Sequence, residues 1–131
     1  MREITVIGQD RRGFLAQVTG ALRDRGVDIR AISARDVAGV GRIDLLVDEP
    51  DQALEVLEAA GLKPVAAEVV AIRLRDEPGA LAGLARRLAA LGVNLRSVTN
   101  LNRDDGWFHL ALGLTPTPEV LKLLGDAVVE T

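Results

Sequence analysis

The chain has 131 residues, 48% of them hydrophobic, and a formal net charge of −3. That is room for one ordinary domain or two small ones, and it lacks the basic footprint of a nucleic-acid binder. The absence of cysteine excludes a disulfide framework and thiolate metal sites. No apolar run approaches the length of a membrane span, so a cytoplasmic protein that binds neither membrane nor nucleic acid is expected.

In chain order, Ile4 and Val6 alternate with Glu3 and Thr5 as a strand with one buried face. The segment Gly8-Gln9-Asp10 is expected to break it. Phe14, Leu15, Val18 and Leu22 then follow at helical spacing up to a stop at Gly26. Residues 27–33 read as a second strand, Gly39 to Gly41 as a turn, and Ile43, Leu45 and Val47 as a third strand. A helix starts around Pro50, buries Leu54 and Leu57, and ends at Gly61; strand follows from Val65.

The order then repeats. Val70, Ile72 and Leu74 alternate as a strand. Ala80, Leu81, Leu84, Leu88 and Leu91 form a helix stripe stopped by Gly92. Residues 93–99 read as strand, 102–106 as a turn, and Phe108, Leu110, Leu112 and Leu114 as the next strand. Thr117-Pro118-Glu119 reads as an N-cap followed by proline at the first helical position, and residues 127–130 as a last short strand.

The two runs are one unit written twice. Asp10-Arg-Arg-Gly-Phe-Leu15 is echoed 66 positions later by Asp76-Glu-Pro-Gly-Ala-Leu81, and the offset holds for Leu22/Leu88, Gly26/Gly92, Asp28/Asn94 and Arg30/Arg96. A slip of one is needed at the third strand, which implies a one-residue insertion in the second turn. The prediction is an α+β chain of two tandem ferredoxin-like βαββαβ units, residues 1–67 and 68–131, with antiparallel sheets and helices on one face. Units this small bury little surface, and bare sheet edges invite pairing, so a homodimer is expected.

A strand, then Asp-x-Pro-Gly-x-Leu, a helix, and Gly-Val-Asn-Leu opening the next strand resembles the ACT domain family of small amino-acid-binding regulatory modules. Asp76 to Leu81 with Gly92 to Leu95 carries that pattern, and Gly8 to Gly13 with Gly26 to Ile29 carries a looser copy. The whole is similar to stand-alone tandem ACT proteins. The resemblance implies ligand contacts from Asp76, Gly79 and Asn94, a free amino acid or similar small molecule as ligand, and a possible partner enzyme.

The chemistry is consistent with that. A helix N-terminus offers unpaired N–H groups and a positive dipole end, which suit a carboxylate. Gly79, Ala80 and Leu81 supply them in the second unit, and Gly13, Phe14 and Leu15 in the first. Asp76 and Asn94, with Asp10 and Asp28 repeating their spacing, are acceptors for an ammonium. The plainer reading makes Asp76 and Asp10 helix N-caps whether or not anything binds. Paired carboxylates Asp10 and Asp28 in the first unit disfavour an anion there. His109 is the only histidine, so no histidine triad or multi-histidine metal site forms within one chain. Asp104-Asp105-Gly106 lacks the remaining spacing of a calcium loop. Trp107 reads as strand-edge packing, and Arg86 and Arg87 as a solvated helix face. No cofactor, metal or catalytic residue is expected.

Four functions fit the pattern: a regulatory amino-acid binder, a docking or oligomerisation module without a ligand, an RNA binder, and a small isomerase. RNA-recognition domains stack bases on aromatics of the central strands, and residues 4–7 and 42–47 carry none. An isomerase needs a convergent acid–base cluster, which is absent beyond Asp10 and Asp28.

Overall fold

A computed structural model describes residues 1–9 and 11–131. They divide into two compact units, Arg2–Ala67 and Glu68–Thr131, with Met1 grouped with the latter. The elements are β1 (Arg2–Gln9), α1 (Phe14–Asp24), β2 (Ile29–Val37), β3 (Val40–Val47), α2 (Pro50–Ala59), β4 (Pro64–Arg75), α3 (Ala80–Ala90), β5 (Ser97–Asp104), β6 (Trp107–Gly113), α4 (Pro118–Leu124) and β7 (Val128–Glu130). The chain is α+β and the strand–helix order repeats as expected. One difference is that the last strand of the first unit and the first strand of the second are a single strand, β4.

In the first unit the antiparallel order is β2-β3-β1, with Ile4 opposite Leu45 and Val6 opposite Ile43. Those side chains share one face of the pleat. They are buried together with Phe14, Val18 and Leu22 of α1 and Ala53 and Leu57 of α2, so both helices lie on that face. In the second unit the order is β5-β6-β4, with β7 on the outer side of β4. There Val70, Ile72, Leu110 and Leu112 are buried under Leu84 and Leu88 of α3 and Val120 and Leu124 of α4. Fully burying one such leucine contributes about 1.5–3 kcal/mol.

The first three helices stop alike. Val27 N–H donates to Leu22 O and Gly26 N–H to Arg23 O, both at 3.0 Å. Leu62 to Leu57 with Gly61 to Glu58, and Val93 to Leu88 with Gly92 to Ala89, repeat these bonds at 3.0 Å. Each is a Schellman closure.

Three local readings are corrected. Gly8 does not end β1. It lies within the strand, where a Cβ would stand 3.1 Å from the Phe14 ring, so the glycine makes room for that core side chain. The inserted residue is not in the second turn: both hairpins turn through two residues, Ala38-Gly39 and Asp105-Gly106, all at positive φ. The extra residue is Leu101, a bulge between Asn100 and Asn102 of β5. Nor does strand open at Val93 or Val27; pairing begins at Ser97 in one unit and Ile29 in the other.

Candidate functional site

The repeated phrase builds the same backbone twice. Gly13 caps α1 with φ 88° and ψ 0°, and Gly79 caps α3 with φ 86° and ψ −9°. This left-handed conformation costs an L-residue roughly 1–2 kcal/mol, which explains glycine at both places. A glycine cap offers no side chain to the first turn. The contrast is α4, where Thr117 Oγ1 accepts from Val120 N–H at 3.3 Å.

Asp76 is therefore not the helix cap that the sequence suggests. Two residues of turn, Glu77 and Pro78, separate it from Gly79. Its N–H donates to Gly106 O at 2.9 Å, and its carboxylate pairs with Arg103 Nε at 3.4 Å. It ties the start of the turn to the β5–β6 hairpin. Asp10 lies outside the described residues. Among the expected amide donors, Phe14 N–H already reaches Arg11 O at 3.2 Å and Ala80 N–H reaches Glu77 O at 3.3 Å. That leaves Leu15 and Leu81 as the better presented first-turn donors.

Around the two starts the units differ. Gly13, Phe14 and Leu15 border an open hollow of about 630 Å³, shared with Ala34 and Asp36 of β2 and Ile43 of β3. Leu15 is 47% exposed there. Arg11 borders it as well and is held by Gln17 Oε1. Arg35 and Arg42 also reach its edge, but the register pairs them with each other on the opposite face of the pleat from Ala34 and Ile43. Arg42 is engaged on that face by Asp44, at 3.0 Å from Nε. The hydrogen bond it donates to Asp44, then that carboxylate's charge, holds the guanidinium more firmly protonated than usual. Asp36 Oδ1 accepts from Gly39 N–H at 2.9 Å and shapes the hairpin beside the hollow.

The two remaining expected residues lie elsewhere. The eleven residues of α3 span about 16 Å, so Asn94 stands at the far end of the helix from Gly79. It borders a second hollow with Arg96, Thr115 and Glu119. Asp28 occupies the matching end of α1, where its N–H donates to Asp48 Oδ1 at 2.9 Å. Neither unit by itself brings its glycine cap and its Asn94 or Asp28 to a single small ligand.

Sequence reasoning missed the environment of Trp107. It begins β6, a strand paired on both sides, and not a sheet edge. The guanidiniums of Arg73 and Arg75 each lie 4.2 Å from its ring centroid. The Arg-x-Arg spacing on one face of the neighbouring strand β4 was the available signal. Arg87 is also more than a solvated residue, because its Nη2 donates to Leu123 O at 3.2 Å and ties α3 to α4. Among the described residues no cluster of three or more metal-ligating side chains forms, and no helix is long and apolar enough to cross a membrane.

Fold and helix starts define a class: a tandem of two small α+β modules that share one helix start. Residues 2–60 match the family model of the ACT domain, so the first unit is an ACT domain, and the second repeats its architecture. No curated protein matches the chain significantly. A solved protein of Bacteroides thetaiotaomicron is similar over 98% of this chain and 91% of its own, with TM-score 0.84 and 20% identity. The ligand-free regulatory subunit of aspartate kinase from Thermus thermophilus is similar over 96% and 91%, with TM-score 0.69 and 19% identity. A structure of aspartokinase alpha and beta subunits is similar over 96% and 90%, with TM-score 0.65 and 21% identity. At these identities the likeness is one of fold.

Proposed function

We propose that the chain is a cytoplasmic regulatory protein that binds a free α-amino acid and has no catalytic activity of its own. The observation that carries the reading is the twice-built helix start. A left-handed glycine, Gly13 or Gly79, leaves first-turn amides without a side-chain cap of its own, which is the arrangement an anion needs. The ligand carboxylate takes the amides of Gly13 and Leu15, or of Gly79 and Leu81, with Phe14 and Ala80 beside them. In the second unit the carboxylate of Asp76 is the acceptor for the ammonium. The aspartate kinase regulatory subunit of similar fold supports a role in controlling a partner enzyme. Strands β2 and β5 are each paired on one side only, and exposed Ile32 and Val98 sit at matching positions on them. Such edges favour a homodimer.

A thermal-shift screen of the full chain against the L-amino acids tests the reading. A ligand that binds only the native state at a hundredfold excess over its Kd adds about 2.7 kcal/mol of stability. One or a few amino acids are expected to raise the melting temperature; a flat response to all of them at millimolar concentration would leave only the docking module.

A further inference from the structure

The two sheets differ at one matching place. In the second unit the register sets Arg75 opposite Trp107 and Arg73 opposite His109. In the first unit the same two rungs hold Gln9 opposite Val40 and Ile7 opposite Arg42. Ile72 and Leu110 lie in the core under the helices, so Arg73, Arg75, Trp107 and His109 share the opposite face of the pleat. Both arginines are exposed, and Trp107 and His109 are half-buried. Trp107 is the chain's only tryptophan, and it stands outside the second unit's core.

The arginines are a held pair of anion receptors. Each guanidinium lies over the indole, 4.2 Å from the ring centroid. Stacking uses the flat side of the guanidinium and leaves the N–H fork at its edge for an anion. It also holds a long side chain in place before anything binds, which lowers the ordering cost of an interface. The two forks issue from positions i and i+2 of one strand, about 7 Å apart. Carboxylates at i and i+2 of an extended peptide have the same spacing. Tryptophan and arginine are also the residue types enriched where protein interfaces concentrate their affinity.

Charge decides between a protein and a nucleic acid as the occupant. Asp104 stands opposite Trp107, and Glu130 opposite Ala71, on the same face. A continuous phosphate backbone would be repelled at these borders, whereas a peptide brings single, spaced charges. The indole already carries two guanidiniums, and a base would have to displace one to stack on it. The net charge of −3 points the same way.

We propose that the face of Arg73, Arg75 and Trp107 docks an extended acidic segment of a partner protein, with carboxylates spaced i, i+2 on the two guanidinium forks. The inference rests on the regulatory part of the proposed function and uses neither helix start.

The test is titration of the 15N-labelled full chain, without amino acid, with an acetylated and amidated peptide of four Glu-Ser repeats, followed by NMR and calorimetry. Trp107 supplies a single indole N–H signal. Expected are saturating shifts at that signal and at the amides of Arg73, Arg75 and His109. A peptide of four Gln-Ser repeats should bind at least about tenfold more weakly. Arg73→Gln and Arg75→Gln should each weaken binding of the acidic peptide by a similar factor, and either variant decides if the other unfolds. No shift with the acidic peptide, or equal binding by wild type and both variants, overturns the docking face and leaves the amino-acid site standing. Tighter binding of octauridylate RNA than of the acidic peptide overturns the choice of partner. So does a wild-type dimer that Arg75→Gln turns into a monomer, because a second copy then covers the face.

Discussion

Two copies of one phrase start α1 and α3, and they agree in backbone while differing in surroundings. Both glycines are left-handed within a few degrees of each other. Beside the first lies a broad hollow edged by Arg11, Leu15 and Asp36. Before the second stand Pro78 and an Asp76 already paired with Arg103. Duplication thus preserved the hydrogen-bonding geometry of the helix start, while the residues that set ligand charge and size diverged. Binding by one unit only, or of different ligands by the two, follows naturally from that divergence.

The comparison can be broken first in the cores. Leu22 and Leu88 are matching residues, both at most 1% exposed. Leu22→Ala and Leu88→Ala should each cost about 2–5 kcal/mol, read by urea denaturation. A loss below about 1 kcal/mol at either would mean that the two units are not packed alike. Next come the caps. Gly13→Ala and Gly79→Ala should each lose about 1–2 kcal/mol through the left-handed backbone, and by similar amounts; a neutral effect at one would show that the shared helix start is relaxed there.

Smaller effects sharpen the role of Asp76. Thr117→Ala removes a true side-chain cap and should cost about 1 kcal/mol. Asp76→Ala breaks only a partly exposed pair with Arg103 and should cost less than about 1 kcal/mol. The reverse order in thermal melts would restore Asp76 as a cap. Smallest is a gain in the first hairpin. Ala38 sits at φ 52°, and Ala38→Gly should stabilise by about 0.5–1 kcal/mol, visible as a raised melting temperature.

The duplication made the element order legible, because alternation and 3.6-residue spacing recur in phase on both sides of the repeat. Glycine stops were legible for the same reason: Gly26, Gly61 and Gly92 each close a helix by backbone bonds that need little from elsewhere. The misreadings were all tertiary. Gly8 resembles a breaker until Phe14 folds over it. The insertion reads as turn until the register puts Leu101 in a bulge. Asp76 resembles a cap until Arg103, distant in sequence, claims its carboxylate. For the site, spacing located Gly13, Gly79, Leu15 and Leu81 at helix starts. The glycine stops at Gly26 and Gly92 already place Asp28 and Asn94 at the other end of α1 and α3, but spacing could not show what each meets there, such as Asp28 N–H on Asp48.

The central claim is that an amino-acid carboxylate sits on the amides of the duplicated helix start. Titrating the 15N-labelled chain with whichever amino acid raises its melting temperature, while following the amides of Gly13, Leu15, Gly79 and Leu81 by NMR, tests it most directly. The account predicts large, saturating shifts at one or both of these pairs. A saturating complex that leaves all four amides unmoved would contradict it.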